Sequence, residues 1–179
     1  MGGAQVTAMK THVKETITPQ AAGAFGEKAV EAELLRHNWI PANVNATVKN
    51  AAKFDIYALK GNRSVQIQVK TCRPDMPAFL CSGFQPGKTI TSETVGPSDF
   101  TIVVLMGNQH GADRFYVLPT TVAYKEIGKR QSEHAEKGVK DIGMRRLSFA
   151  PRKDGEEVAG SGIENKWAEY LDRWDLLDG

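Results

Sequence analysis

Residues 54–70 of this 179-residue chain read FDIYALKGNRSVQIQVK and decide its fold. Gly61-Asn62 is a two-residue turn signal between two segments with strand composition, which predicts a β-hairpin. In the second strand, alternation places Gln66, Gln68 and Lys70 on one face and the apolar residues between them on the other. The apolar face is therefore the one that we expect to be buried.

The turn also predicts which residues of the hairpin face each other. Counting outward from Gly61-Asn62 places Asp55 directly opposite Gln68. Opposed residues of antiparallel strands point to the same face, with Cβ atoms about 4.5–5.5 Å apart. The Asp55 carboxylate, the Gln68 amide and, one step along, the Lys70 ammonium are thus expected in one polar patch. A slip of one residue would send Gln68 to the other face.

The hairpin follows a predicted helix that begins at Thr18-Pro19 and runs to about His37. A hydroxyl N-cap followed by proline at the first helical position is a strong start signal. Gly23 and Gly26 lie early in this helix, where close packing or a functional approach would explain them. The expected apolar stripe of the helix comprises Phe25, Ala29, Ala32 and Leu35 or Arg36, widened by Val30 and Leu34.

The remaining elements follow from run length and periodicity. The near-continuous apolar run of Phe100–Met106 is typical of a strand buried on both faces. Pro119 leads into a short helix over about 121–127, and Ile163–Leu177 has the spacing of one amphipathic helix that docks on the sheet. Strands are expected at Trp39–Asn45, Lys53–Lys60, Ser64–Thr71, Ala78–Cys81, Phe100–Met106 and Arg114–Leu118.

This order predicts an α/β fold with a mixed sheet flanked by helices. The length fits one domain with a substantial core. Residues 1–17 are expected to form a flexible arm, residues 18–127 the core, and residues 128–179 a C-terminal helical extension packed on it. Between 73 and 99, four prolines and several small polar residues predict a long loop around the short strand at Ala78–Cys81.

The composition is that of an ordinary globular protein, with 41% hydrophobic and 25% charged residues and a formal net charge of +2. Between 125 and 153, nine Lys/Arg stand against four Asp/Glu, and the final segment is acidic. This stretch is either a phosphate-facing surface or a solvated helix surface. Neither a signal peptide nor a membrane-spanning run is evident, so a cytoplasmic protein without membrane association is expected. The spacing of Cys72 and Cys81 does not fit a zinc site.

The expected polar patch has the donors of a hard-cation site. Mg²⁺ accepts carboxylate and carbonyl oxygens together with water. Asp55 would be the main anchor, and the side-chain oxygen of Gln68 and the backbone carbonyl of Val69 would be neutral ligands. The first helix offers Glu27 and Glu31, one turn apart, and Glu27 would supply a second negative charge. Lys70 would orient or deprotonate the attacking water, or stabilise a phosphate electrostatically.

Three motifs carry a resemblance to a known superfamily. Gly23-Ala24-Phe25-Gly26-Glu27, then Phe54-Asp55, then Gln68-Val69-Lys70 together resemble the PD-(D/E)XK nucleases. They are most similar to the branch with a Gln-x-Lys signature, as in Mrr-like restriction endonucleases and relatives of Holliday-junction resolvases. Phe54 replaces the proline of the motif name, and Gln68 stands at the position that is usually acidic.

The resemblance implies a restriction-endonuclease-like core in α-β-β-β-α-β order. It implies hydrolysis of DNA phosphodiester bonds with Mg²⁺, for which Mn²⁺ can substitute, and a homodimer where both strands are cut, since that needs two sites. By motif match, Asp55 would bind the metal, Gln68 would replace the acidic residue, Lys70 would be the catalytic lysine and Glu27 the helix carboxylate.

The binding residues and the activity leave alternatives open. The lysines and arginine near the site in sequence would contact phosphates, which gives salt-dependent binding without sequence reading. Because Gln68 removes a charge, a second hypothesis is a nuclease-fold DNA-binding module without catalysis. A third is a protein-interaction scaffold that uses the C-terminal tryptophans. The expected nucleic-acid contacts are Lys49, Lys53, Arg73 and Lys88.

Overall fold

The structure is a computed structural model that describes residues 17–44, 54–81, 95–140, 143, 145–152, 154–155 and 158–179. Within these ranges the chain forms a five-stranded mixed sheet and a separate two-stranded sheet. Helices pack on both faces of the larger sheet. The predicted α/β class with a mixed sheet flanked by helices is therefore confirmed.

The elements follow one another with short connections in most places. In chain order they are α1 (Pro19–Arg36), β1 (Ile40–Asn43), β2 (Ile56–Lys60), β3 (Arg63–Cys72), β4 (Ala78–Cys81), β5 (Asp99–Leu105), β6 (Arg114–Pro119), α2 (Thr120–Glu136), β7 (Arg145–Ser148) and α3 (Ile163–Lys166). Two 3₁₀ helices, Ala168–Tyr170 and Trp174–Asp178, follow α3.

The large sheet has the order β1-β2-β3-β5-β6, and β4 pairs with β7. The first three strands form an antiparallel meander, β5 runs parallel to β3, and β6 returns antiparallel to β5. The chain between β3 and β5 contains β4 in its described part, where the α-β-β-β-α-β order would place a helix. Residues 82–94 of that connection lie outside the described residues.

The central hairpin has the register that its turn predicts. Five pairs join β2 to β3, from Ile56↔Ile67 to Lys60↔Arg63. Gly61 adopts a φ of +58°, a left-handed conformation that glycine tolerates without strain. The alternation is also as expected, because Val65 and Ile67 are completely buried. Gln66, Gln68 and Lys70, which point the other way, keep partial exposure.

All seven residues of β5 are buried, as the apolar run predicts. On one face, Phe100, Ile102 and Val104 join a core with α1 and the 3₁₀ helix at Trp174–Asp178. On the other face, Val103 and Leu105 join a second core with α2, α3 and the two-stranded sheet. A parallel strand pair with apolar side chains on both faces needs this double cover.

Helix α1 starts as predicted but buries a different stripe. The Thr18 hydroxyl accepts a hydrogen bond from Ala21 N at 3.2 Å, which caps the helix. The predicted stripe was wrong in part: Phe25 and Leu35 are exposed, at 38% and 59%, whereas Val30 and Leu34, which were expected to widen it, are buried. The row that faces the sheet is spaced by four residues and comprises Ala22, Gly26, Val30 and Leu34. Two of its members are small, so a search for large apolar residues misses them.

The C-terminal segment differs most from the sequence prediction. The single helix expected over Ile163–Leu177 is interrupted, because Leu171 is extended and Asp172 adopts a φ of +52°. At this break the backbone bonds to β6, with Asp172 N donating to Phe115 O at 2.7 Å. Ile163 belongs to one core of the sheet, while Trp174 belongs to the other. The segment therefore crosses the β6 edge and covers both faces.

The charged stretch after β6 is more structured than the sequence predicts. Helix α2 extends to Glu136, well beyond the predicted end at 127. It therefore crosses the expected boundary between the core, residues 18–127, and the C-terminal extension, residues 128–179. Strand β7 was not predicted, because Arg145–Ser148 reads as a charged surface segment. Its pairing with β4 shows why it forms: Leu147 lies opposite Phe79, and both are buried.

Gly26 allows α1 to lie directly on β3, which gives a test of the packing. A Cβ at this position would overlap Thr71 Oγ1 and lie 3.1 Å from Thr71 Cβ. We expect Gly26→Ala to lower the free energy of unfolding by about 1–3 kcal/mol in urea denaturation, because overpacking outweighs the gain in helix propensity. The Thr71→Ala variant lacks the overlapping hydroxyl, so in that background Gly26→Ala should lower the free energy of unfolding clearly less.

Gly23→Ala is the matched control on the same helix. Nothing lies within 4 Å of the added methyl group, so only helix propensity changes. We expect a gain of up to about 1 kcal/mol. Equal effects of the two substitutions would contradict the close approach of α1 to β3.

Candidate functional site

The strands β2 and β3 separate at one end of the sheet, and Asp55 lies at this fork. The ladder ends at Ile56↔Ile67, whereas β3 continues to Cys72 in pairing with β5. Asp55 N donates to Ile67 O at 2.9 Å, and Asp55 Oδ2 accepts from Val69 N at 2.7 Å. The carboxylate thus takes the place that a backbone carbonyl would have if β2 were longer.

This bond fixes the orientation of Asp55 relative to the sheet. A strand residue in an antiparallel ladder points its N–H and its C=O to the same neighbour. The Val69 N–H points to the β2 side, so the Val69 carbonyl does as well. The Asp55 carboxylate and the Val69 backbone therefore share the fork, in the plane of the sheet. The turn predicted that Asp55 lies opposite Gln68. In the structure the backbone N–H of Asp55 bonds instead to Ile67, one residue before Gln68.

Gln68 and Lys70 leave β3 on the face opposite α1. Both side chains are half-buried, and Lys70 pairs with Val103 of β5 in the parallel ladder. The Lys70 cation is near enough to Cys81 to act on the pKa of that thiol. Lys70 thus lies on the side of the sheet that carries β4, next to the fork but not on the α1 side.

Glu27 reaches the same end of the sheet from α1. Its Oε2 accepts a hydrogen bond from Asn43 Nδ2 at 2.9 Å, and Glu31 Oε1 accepts from the same nitrogen at 2.8 Å. Asn43 lies opposite Ile56, the residue after Asp55. The helix carboxylate is therefore tied to the strand end at which Asp55 stands, on the opposite face from Lys70.

The donors at this end of the sheet suit a hard cation by their chemistry. They are the carboxylates of Glu27 and Asp55, the Val69 carbonyl and the Gln68 amide oxygen, all of which Mg²⁺ accepts. Among the described residues, no cluster of three or more His, Cys, Asp or Glu side chains forms a metal cage. Two acids with neutral oxygens fit a cation that keeps several waters.

Of the expected nucleic-acid contacts, only Arg73 lies within the described residues. Its side chain is partly buried and has protein partners: Nη1 donates to Ile17 O at 2.9 Å, and Nε lies 3.4 Å from Asp75 Oδ1. Its position beside the start of α1 gives it a structural task that the sequence did not indicate. Lys49, Lys53 and Lys88 lie outside the described residues.

In the described part of the basic stretch 125–153, some of the charged side chains are paired or buried. Lys129 and Lys166 both pair with the buried Glu126, and Arg130 pairs with Glu133. Arg145 is buried, with 3% exposure. Carboxylates of α2 thus balance part of the positive charge of this stretch.

Asn43 is the residue of this region that sequence reasoning missed. It sits at the end of a short edge strand and belongs to no recognised motif. A signal was present, because asparagine is disfavoured in strands and had no turn to explain it. Only the packing of α1 against β1 shows what it contacts.

No protein-family model matches the chain, and no curated protein matches it. The solved structure of a bacterial homing endonuclease, I-Ssp6803I, is similar to this chain. The similarity covers 90% of the present chain and 92% of the endonuclease chain. The sequence identity is 12% and the TM-score 0.49. Such a likeness does not assign a role to any residue of this chain. In the described part of the chain, no helix has the length and apolarity to cross a membrane.

The two cysteines beside Lys70 are core residues. Burial raises the pKa of Cys72 to about 12. Burial also raises the pKa of Cys81 to about 11, although the Lys70 cation opposes this. Both thiols are therefore protonated at neutral pH and behave as small apolar side chains.

A thiol-reagent assay tests this placement. At pH 8, Ellman's reagent should modify native protein at least about 100-fold more slowly than protein in guanidinium, because thiolate is scarce and access is blocked. In guanidinium, two thiols should titrate in the wild type and one in Cys72→Ala. Rapid modification of native Cys72→Ala would show that Cys81 is accessible.

Proposed function

We propose that this protein is a Mg²⁺-dependent endonuclease that hydrolyses phosphodiester bonds of DNA. The observation that carries the proposal is the fork at Asp55, where a carboxylate bonds to Val69 N between Gln68 and Lys70. An acid, an amide and an amine on two adjacent strands, with a helix carboxylate tied to the same strand end, suit hydrolysis of a phosphate diester.

The residues that would hold the cation divide into charged and neutral ligands. Asp55 and Glu27 would supply the negative charge, and the Val69 carbonyl and the Gln68 side chain would complete the set. When bound, the metal supplies Lewis-acid stabilisation of the phosphate and lowers the pKa of water. The hydrogen bond from Val69 N to Oδ2 holds the Asp55 carboxylate in the sheet plane.

Lys70 would act on the substrate from the other face. Its ammonium can orient or deprotonate the attacking water, or stabilise the charge that develops on the phosphate. Both tasks need a lysine that is fixed rather than free in solvent. The half-buried side chain of Lys70, in the part of β3 that pairs with β5, fits that requirement.

The same chemistry indicates the class of substrate but not a particular sequence. A fork with oxygen ligands and the nearby Lys70 would bind a phosphate backbone, and phosphate contacts give salt-dependent affinity without sequence reading. We propose DNA as the partner, with Lys49, Lys53 and Lys88 as further phosphate contacts, and a homodimer where both strands are cut. A cytoplasmic location belongs to the same proposal.

Cleavage of labelled DNA tests the proposal. Duplex, branched and single-stranded substrates are incubated with wild type in Mg²⁺, Mn²⁺ or EDTA, and the products are separated on denaturing gels. Cleavage should require the divalent ion. Asp55→Ala and Lys70→Ala should each lower the rate by at least about 10²-fold, the usual range for loss of such a group.

Lys60→Ala is the matched lysine control. Lys60 lies at the hairpin end of β2, where it pairs with Asp178 at 2.8 Å on the surface, and such a pair contributes little stability. This variant should cleave like the wild type. Undiminished cleavage by Lys70→Ala would refute the site. Tight DNA binding without cleavage in Mn²⁺ would favour a binding module instead, as the neutral Gln68 suggests.

A further inference from the structure

The amide of Asn43 connects two carboxylates of α1 to the end of β1. Its Nδ2 lies 2.9 Å from Glu27 Oε2 and 2.8 Å from Glu31 Oε1. An amide nitrogen has two N–H donors, and the two carboxylates use both. The reverse orientation of the amide would bring its oxygen against two anions, so the contacts fix which way it points.

Glu31 gives this amide a stable support. Its carboxylate also bonds to Lys28 Nζ at 2.9 Å, which offsets its charge. Glu27 and Glu31 are one helical turn apart, and like charges at this spacing repel by a few tenths of a kcal/mol. The Asn43 amide between them opposes that repulsion. The order of contacts is Lys28, Glu31, Asn43, Glu27.

The backbone sets this group of side chains beside the fork. Asn43 lies opposite Ile56, and the next residue, Val44, donates its N–H to Asp55 O at 2.9 Å. A shift of the Asn43 amide would therefore move the Glu27 carboxylate relative to Asp55. The side chain of Asn43 is half-buried, which restricts such shifts.

We propose that Asn43 is a positioning residue that holds the Glu27 carboxylate beside Asp55 for cation binding. This inference rests on the proposed function, because it assigns Asn43 to the support of that site. Outer partners that hydrogen-bond a ligating carboxylate orient it, and their loss usually costs about 10–100-fold in metal affinity or activity. The position of Asn43 on a strand, opposite a helix ligand, is that of such a partner.

The test measures Mn²⁺ binding to the protein without DNA, by isothermal calorimetry, next to thermal unfolding. Asn43→Leu keeps the approximate volume and removes both donors. We expect its Mn²⁺ affinity to fall about 10–100-fold. In the background of Glu27→Gln, which weakens binding by itself, Asn43→Leu should cause no further loss. Glu33→Gln is the control, since this carboxylate of the same helix pairs with Arg36 and lies outside the group of contacts around Asn43, and it should bind Mn²⁺ within about threefold of the wild type.

The outcomes separate this inference from the proposed function. Wild type that binds no Mn²⁺ would overturn both. Wild type that binds Mn²⁺, with Asn43→Leu equal to it and Glu27→Gln weakened, would overturn the role of Asn43 alone. That role is also overturned if Asn43→Leu weakens binding equally with and without Glu27→Gln. If Asn43→Leu does not fold, Asn43→Thr, which suits a strand, takes its place in the same comparison.

Discussion

The parallel pairing of β3 with β5 is the constraint on which the rest of the structure depends. Both faces of β5 carry apolar side chains, so both must be covered. Helix α1 covers one face, while α2 and the β4–β7 pair cover the other. One short C-terminal segment contributes Trp174 to the first core and Trp167 to the second, and it passes the edge strand β6 between them.

The fork at Asp55 is a consequence of the same pairing. Strand β3 continues to Cys72 because β5 supports it, whereas the ladder with β2 stops at Ile67. Beyond that point the β2 side of β3 carries backbone groups that need partners, and a buried backbone group without one is costly. The Asp55 carboxylate satisfies the N–H of Val69. The bond that places the proposed metal ligand thus also ends the hairpin.

The proposed site draws on both faces of the sheet and on its plane. Glu27 approaches from the α1 side, Lys70 stands on the opposite side, and Asp55 lies in the plane. These three directions meet at the end of the sheet where β2 and β3 separate. Gly26, directly before Glu27, lies against Thr71, directly after Lys70, so the close approach of α1 to β3 brings the two segments together. In the proposed function, cation binding and the packing of α1 therefore depend on one contact.

The sequence by itself determined the elements whose signal is local. The turn at Gly61 set the register of the hairpin, alternation set the faces of β3, and the apolar run showed that β5 is buried. The tertiary structure alone decided which row of α1 is buried, where the C-terminal helix breaks, and that Asn43 meets Glu27. These features depend on contacts between segments far apart in the chain. A small residue such as Gly26 is required because of the residue that packs against it. Hydrophobic periodicity in the sequence does not reveal that contact.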